Sequence, residues 1–158
     1  MKIAHGHDAF DPFNAVHLTQ AQARQAFPLA RMLNPAIAMA DWLGFTRRYT
    51  RLPADRGGIV AMMDKRGCIH AIFTYRVDQS IGIGRFLRIS DIMIGHLPGV
   101  RPGQATLKSI RRLAIQLDCP SVVMEALTVE DADISAADSS APFGYLHRPK
   151  LPRVANHH

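Results

Sequence analysis

The segment Leu87-Arg88-Ile89-Ser90-Asp91-Ile92-Met93-Ile94 runs into Gly95-His96-Leu97-Pro98-Gly99-Val100-Arg101-Pro102-Gly103-Gln104, and a helical pattern follows with Leu107, Ile110, Ala114 and Leu117 on one face. The first part, begun at Phe86, is rich in β-branched and large apolar residues and predicts a strand. The loop from Gly95 to Gly103 holds three glycines and two prolines and opens directly onto the helix. The first amides of a helix have no partner within it, and the helix dipole places partial positive charge at that end. Gly99 and Gly103 let another group approach the backbone closely, and Arg101 adds a full positive charge. Strand, loop and helix together predict a cradle for a pyrophosphate.

Downstream, Cys119-Pro120 stops the helix and Ser121 to Leu127 reads as a further strand. Upstream, Ile59 to Met63, the turn Asp64-Lys65-Arg66-Gly67 and Cys68 to Val77 form a hairpin pattern. Its second arm is largely apolar on both faces, which places it centrally in a sheet covered on both sides. Before the hairpin lies a helical third. Thr19 with Gln22 is a capping-box pattern that starts a helix at Gln20, with a kink expected at Pro28. Asn34-Pro35 starts a second helix, whose apolar face is Ala38, Trp42, Phe45 and Tyr49. Ala15 to Leu18 suits a short strand. Residues 1–14 show no periodicity and are expected to form an arm. Thr128 with Asp131 is a cap for a short helix, Phe143 to His147 suits an edge strand, and 148–158 reads as an irregular tail. The expectation is one domain over 15–147, of α/β (α+β) class.

The chain has 158 residues, 47% apolar and 20% charged, which is ordinary globular usage. No apolar run approaches a membrane span and no signal-peptide pattern opens the chain, so a cytoplasmic protein with reduced cysteines is expected. Cys68 alternates with core positions and reads as buried and inert. The net charge is +6, with +8 on residues 1–119 and −2 on the remainder. A basic body suits an anionic partner, but 15 Arg against 4 Lys and only 2 Glu also describe a compositional bias, and the arginines are scattered. Nucleic-acid binding therefore rests on charge alone and lacks a reading motif. His5, His7, Asp8 and the His157-His158 pair lack further ligands at metal-site spacing, so no metal is expected.

The strand from Ile89 to Ile94, the loop from Gly99 to Gln104, the helix through Ala114 and the preceding hairpin with two helices before it resemble the GNAT family of acyl-CoA-dependent N-acyltransferases, over roughly residues 15 to 127. The resemblance implies a mixed, mainly antiparallel sheet flanked by helices on both faces. The family's pyrophosphate loop reads Arg/Gln-x-x-Gly-x-Gly/Ala. Here Pro98 stands at its first position and Arg101 at its central glycine, while Gly103 keeps the expected type. The family's tyrosine before a Gly-Phe pair has its nearest echo at Gly144-Tyr145, where the position four earlier is Ser140.

The resemblance further implies that the strands ending at Ile94 and Glu125 splay apart. Acetyl-CoA, or another acyl-CoA, would lie between them as a co-substrate, along the backbone of Ile92, Met93 and Ile94. Its diphosphate would rest on Gly99, Val100, Arg101, Gly103, Gln104 and Ala105. An amide near Met93 or Ile94 would polarise the thioester carbonyl. A neutral amine acceptor needs a base, for which Glu125 comes first, then Asp91 and His96; Tyr145 is the candidate to protonate the thiolate. The acceptor itself is not readable, no membrane partner is implied, and a homodimer is compatible. Two other readings stay open: a GNAT-like binding or regulatory module without catalysis, and a basic nucleic-acid binder.

Overall fold

The computed structural model describes residues 12–96, 98, 99, 101–125 and the backbone of 145–148. Expectations that fall elsewhere lie outside these residues: the arm before 12, the capped helix at Thr128, Ser140 and Gly144, and the tail from 149. The described elements are β1 (Phe13–His17), α1 (Ala23–Leu33), α2 (Met39–Thr50), β2 (Gly57–Asp64), β3 (Ile69–Ser80), β4 (Gly84–Ile94), α3 (Pro102–Gln116), β5 (Ser121–Glu125) and β6 (Tyr145–Arg148).

The strands form one sheet in the order β1-β2-β3-β4-β5-β6. Neighbours from β1 to β4 are antiparallel, because short turns join β2 to β3 and β3 to β4. The α3 crossover returns the chain so that β5 lies parallel to β4. β6 occupies the edge expected for Phe143 to His147 and runs parallel to β5.

Alternation along the strands divides the core in two. Val60, Phe73, Tyr75, Leu87, Ile89 and Val122 pack beneath Ile110, Leu113 and Ala114 of α3 and Leu117 at its C-cap. Ile59, Ala61, Ile72 and Met93 face the other way, against Ala26, Leu29 and Ala30 of α1 and Trp42 of α2. A smaller group joins Ala105 of α3 to Phe13, Met62, Ala71 and Ile94. Helices therefore cover both faces, and β3 is central as its sequence requires. Trp42 is 1% exposed, and its indole N–H donates to the Ala23 carbonyl at 2.7 Å, so its one polar atom is satisfied where it is buried.

Several local expectations shift. β1 starts at Phe13, two residues before Ala15. Thr19 and Gln22 make the capping contacts, with Thr19 N–H donating to Gln22 Oε1 at 3.0 Å, but they close a turn and α1 begins at Ala23. Asn34 Oδ1 accepts from the Ala36 amide at 3.2 Å, an Asx turn that competes with helix, so α2 begins only at Met39. Cys68 is exposed rather than buried, because Asp64 Oδ1 captures the amides of Arg66 at 2.8 Å and Cys68 at 2.9 Å and draws Cys68 into the turn. Gly67, at φ +84°, supplies the left-handed residue this turn requires.

Candidate active site

The two edges of β4 differ. Toward β3 it is paired from Gly84 to Ile94; toward β5 the pairing among the described residues covers Phe86↔Ser121 to Ile89↔Met124. Beyond Ile89, the stretch Ser90 to Ile94 offers roughly 16 Å of strand edge without a partner strand among the described residues. The opening that the family resemblance implies between Ile94 and Glu125 would begin at this edge.

A bulge lies at the vertex. The β3–β4 register shifts between Ile72↔Met93 and Thr74↔Ser90, so Asp91 and Ile92 together oppose Phe73. Asp91 takes φ +49°, a backbone state that Asp tolerates better than most residues. Thr74 Oγ1 lies 2.9 Å from the Ser90 carbonyl and 3.1 Å from Asp91 Oδ2, which ties the bulge to β3. The Asp91 carboxylate is thereby engaged.

The backbone phase on the far side of the bulge is fixed by Gly95, whose N–H donates to the His70 carbonyl at 2.7 Å. Antiparallel residues point their amide and carbonyl alternately to either neighbour. Gly95 and Met93 therefore face β3, and the Ile94 amide turns into the opening. Met93 is buried under α1 and α2, while the Ile94 side chain joins Ala105 on the α3 side.

The N-terminus of α3 stands at the mouth. Pro102 occupies the first helical turn, so the helix takes in Gly103, Gln104 and Ala105, which the sequence reading had split between loop and helix. Among the described residues, the Gly103 and Gln104 amides have no acceptor. The first turn holds no acidic residue, and the N-cap, Arg101, makes no side-chain cap and is exposed. Gly99, at φ +78°, has open space where a side chain would stand. Val100 lies outside the described residues. The Thr106 hydroxyl donates to the Pro102 carbonyl at 2.7 Å, holding this turn rigid. His96, the residue after Gly95, is exposed.

Glu125 lies one residue beyond the last β4–β5 pair, with its side chain 56% exposed. Its Oε1 is 3.5 Å from Arg88 Nη1, and Arg88 Nε is 2.6 Å from Asp78 Oδ2. That hydrogen bond with Asp78 raises the Arg88 pKa, so Arg88 stays a cation. Tyr145 pairs in register with Val122, on the outer side of β5 from β4 and three residues back from Glu125. The fold thus gathers Asp91, Ile94, Glu125 and the α3 amides around one opening and sets Tyr145 apart from it. Sequence reasoning missed Thr74, Arg76, Asp78 and Arg88. The signal for the first three was the period-2 polar run at the end of β3, hidden in a strand otherwise apolar on both sides; Arg88 stands opposite that run on β4.

Among the described residues, no helix is long and apolar enough to cross a membrane, and no three His, Cys, Asp or Glu side chains gather as metal ligands. No protein-family model and no curated protein matches the sequence. Solved structures do. An aminoglycoside N-acetyltransferase determined in complex with CoA superposes with a TM-score of 0.66 at 13% identity, over 91% of this chain and 95% of its own. An aminoglycoside 6'-N-acetyltransferase from Acinetobacter baumannii gives 0.65 at 14% identity, over 92% of this chain and 99% of its own. A ribosomal-protein-alanine N-acetyltransferase from Brucella melitensis gives 0.61 at 14%, over 83% and 96%. At such identities the likeness speaks for architecture, and the architecture is that of the GNAT N-acetyltransferases.

Proposed function

We propose that the protein is an N-acyltransferase that moves an acyl group, acetyl in the first instance, from acyl-CoA directly to an amine. The single observation that carries this reading is the half-open β4 edge, with the unpartnered first turn of α3 at its mouth. Two compared structures hold CoA or a CoA-containing bisubstrate analogue. In this chain the Gly103 and Gln104 amides, with Arg101, would take the diphosphate. One donor is missing at Pro102, and the charge of Arg101 offsets it.

The Ile94 amide faces the opening and would donate to the thioester oxygen as negative charge develops there. The amine nitrogen attacks the carbonyl carbon, a C–N bond forms and the C–S bond breaks. Glu125 takes the proton that the nitrogen loses, and the departing thiolate takes one from water at the mouth. Arg88 anchors chiefly on Asp78, and its longer contact leaves Glu125 free to meet the amine. Asp91, held by Thr74, shapes the bulge; His96 is the remaining base candidate. Tyr145 begins on the far side of β5 and is assigned no step.

Calorimetric titration with CoA and acetyl-CoA tests the binding. Thiol release against an amine panel tests the chemistry, and Glu125→Gln is expected to lower kcat/KM about 100-fold or more. No heat at millimolar CoA would overturn the reading. Binding without turnover of any amine would favour a non-catalytic binding module instead.

A further inference from the structure

Arginines that are scattered in the sequence collect where α2 ends and β2 begins. From Trp42 to Met63 the chain carries Arg47, Arg48, Arg51 and Arg56 against Asp55 as its one acid. Arg47 and Arg48 stand in the last turn of α2, and Arg51 is its C-cap. The Arg56 carbonyl accepts the Val77 amide at 3.0 Å, which sets Arg56 beside Arg76 of β3. Gly57 closes the group. A Cβ there would stand 2.9 Å from Leu52 Cδ1 and 3.5 Å from Arg76 Cγ, so Leu52, which follows Arg51, and the Arg76 stem flank one glycine. All five arginines are exposed.

Two of the guanidiniums are seated on rings. Arg48 lies 5.8 Å from the centre of the Phe45 ring and Arg76 lies 5.2 Å from that of Tyr49, and the two rings are 4.9 Å apart. A ring face positions a guanidinium but leaves its charge and its planar fork of donors unspent. None of the five pairs with a carboxylate among the described residues, whereas Arg88, opposite Arg76, takes both Asp78 and Glu125. The α2 dipole favours Arg47 and Arg48 at its carboxyl end. It does not account for Arg56 and Arg76, and Arg47 and Arg51, one helical turn apart, repel each other. The group suits an external anion better than it suits the fold.

The surroundings choose among polyanions. A lipid surface takes up apolar side chains along with cations. The large exposed apolar residues among the described ones are Met32, Leu33, Ile81 and Ile115, and none lies between Trp42 and Arg76. A nucleic-acid strand uses what is present: forked donors for its phosphates, and flat guanidiniums held on rings for its bases. We propose that Arg47, Arg48, Arg51, Arg56 and Arg76 form a docking surface for single-stranded nucleic acid. The surface does not depend on the acyl-transfer reading. β2 begins opposite Arg76, toward the Gly84 end of β4, and the open edge lies toward Ile94.

The test is fluorescence anisotropy of labelled RNA and DNA strands, about 20 nucleotides long and of one mixed sequence, with the full chain at about 50 to 200 mM KCl. The two arms identify which strand the surface prefers. Affinity should fall with salt, log against log, by about 0.7 per phosphate contacted. The triple variant Arg48→Gln, Arg51→Gln, Arg76→Gln should bind about tenfold or more weakly at the lowest salt and flatten that slope by about 2. Arg24→Gln, Lys65→Gln, Arg66→Gln removes the same charge at the other end of β2, where Gln25 Nε2 donates to the Gly67 carbonyl at 2.7 Å. It should leave Kd within about twofold, since salt screens charges that far away.

No binding of either strand by about 100 μM protein at the lowest salt, or an equal loss from both triples, would overturn the proposal. So would sedimentation with phosphatidylcholine–phosphatidylserine vesicles that the first triple abolishes, if neither strand binds. Thermal melting shows that each variant folds. Arg47→Gln, Arg51→Gln, Arg56→Gln, which spares both ring contacts, takes the place of the first triple should that one melt early.

Discussion

β4 has one edge finished and one edge unfinished. Its seam with β3 runs from Ser80↔Gly84 to Ala71↔Ile94, whereas its seam with β5 is four pairs long among the described residues. The reason is local. The Asp91 bulge bends β4 where that pairing ends. Closed seams and the two cores beneath them supply cooperativity, because each added pair brings buried side chains together. Along the other seam, the described residues leave Ser90 to Ile94 of β4 without a paired strand, the edge on which the proposed acyl-CoA binding rests. Stability and the proposed binding thus divide along a single strand.

That division can be broken from the closed side first. Trp42→Ala removes the largest fully buried side chain of the α1–α2 layer and the indole N–H that donates to the Ala23 carbonyl. Urea unfolding should show a loss of about 3–5 kcal/mol. A loss below about 1 kcal/mol would mean that the helical layer is not what holds the closed half. The vertex gives a smaller effect. Asp91→Val places a β-branched residue at φ +49° and should cost about 1–3 kcal/mol, while Asp91→Gly should stay close to wild type. Equal losses in both variants would show that the Thr74 contact, rather than the backbone state, sets the bulge.

The layout was legible in sequence wherever periodicity and punctuation agreed. The apolar run of β3, the Asp64 to Gly67 turn and the Gly/Pro loop before α3 each point to one answer. Boundaries slipped where side chains compete with the helix for backbone groups, as Asn34 does, because propensity cannot say which partner wins. The Thr19 and Gln22 cap was real, yet it closed a turn ahead of the helix. Cys68 read as core because its alternation matched the strand, but the Asp64 carboxylate claims its amide first. At the site, Glu125 and Ile94 were visible as strand ends. Arg76 and Arg88 were not, because a cross-strand like-charge pair exists only once the register is known, and no short sequence window contains it.

The row where the two seams part also contains Tyr75, since Tyr75 pairs with Ile89, the last residue of β4 bonded on both edges. The Tyr75 hydroxyl donates to the Ala54 carbonyl at 2.7 Å and lies 2.8 Å from His17 Nε2. Burial, helped by the negative charge of Asp55, pushes its pKa from 10.0 to about 12. The folded state holds this proton more tightly than the unfolded chain. The resulting stability is therefore complete below pH 10 and is lost as pH rises through about 12. Tyr75→Phe removes both the ionisation and the hydroxyl bonds. At neutral pH it should cost about 1 kcal/mol, the least of these effects. Its stability should then fall less steeply than the wild type's above pH 10, so the two curves converge. Parallel curves would show that Tyr75 ionises without strain in the native state, and that this row does not lock the closed seam against the open one.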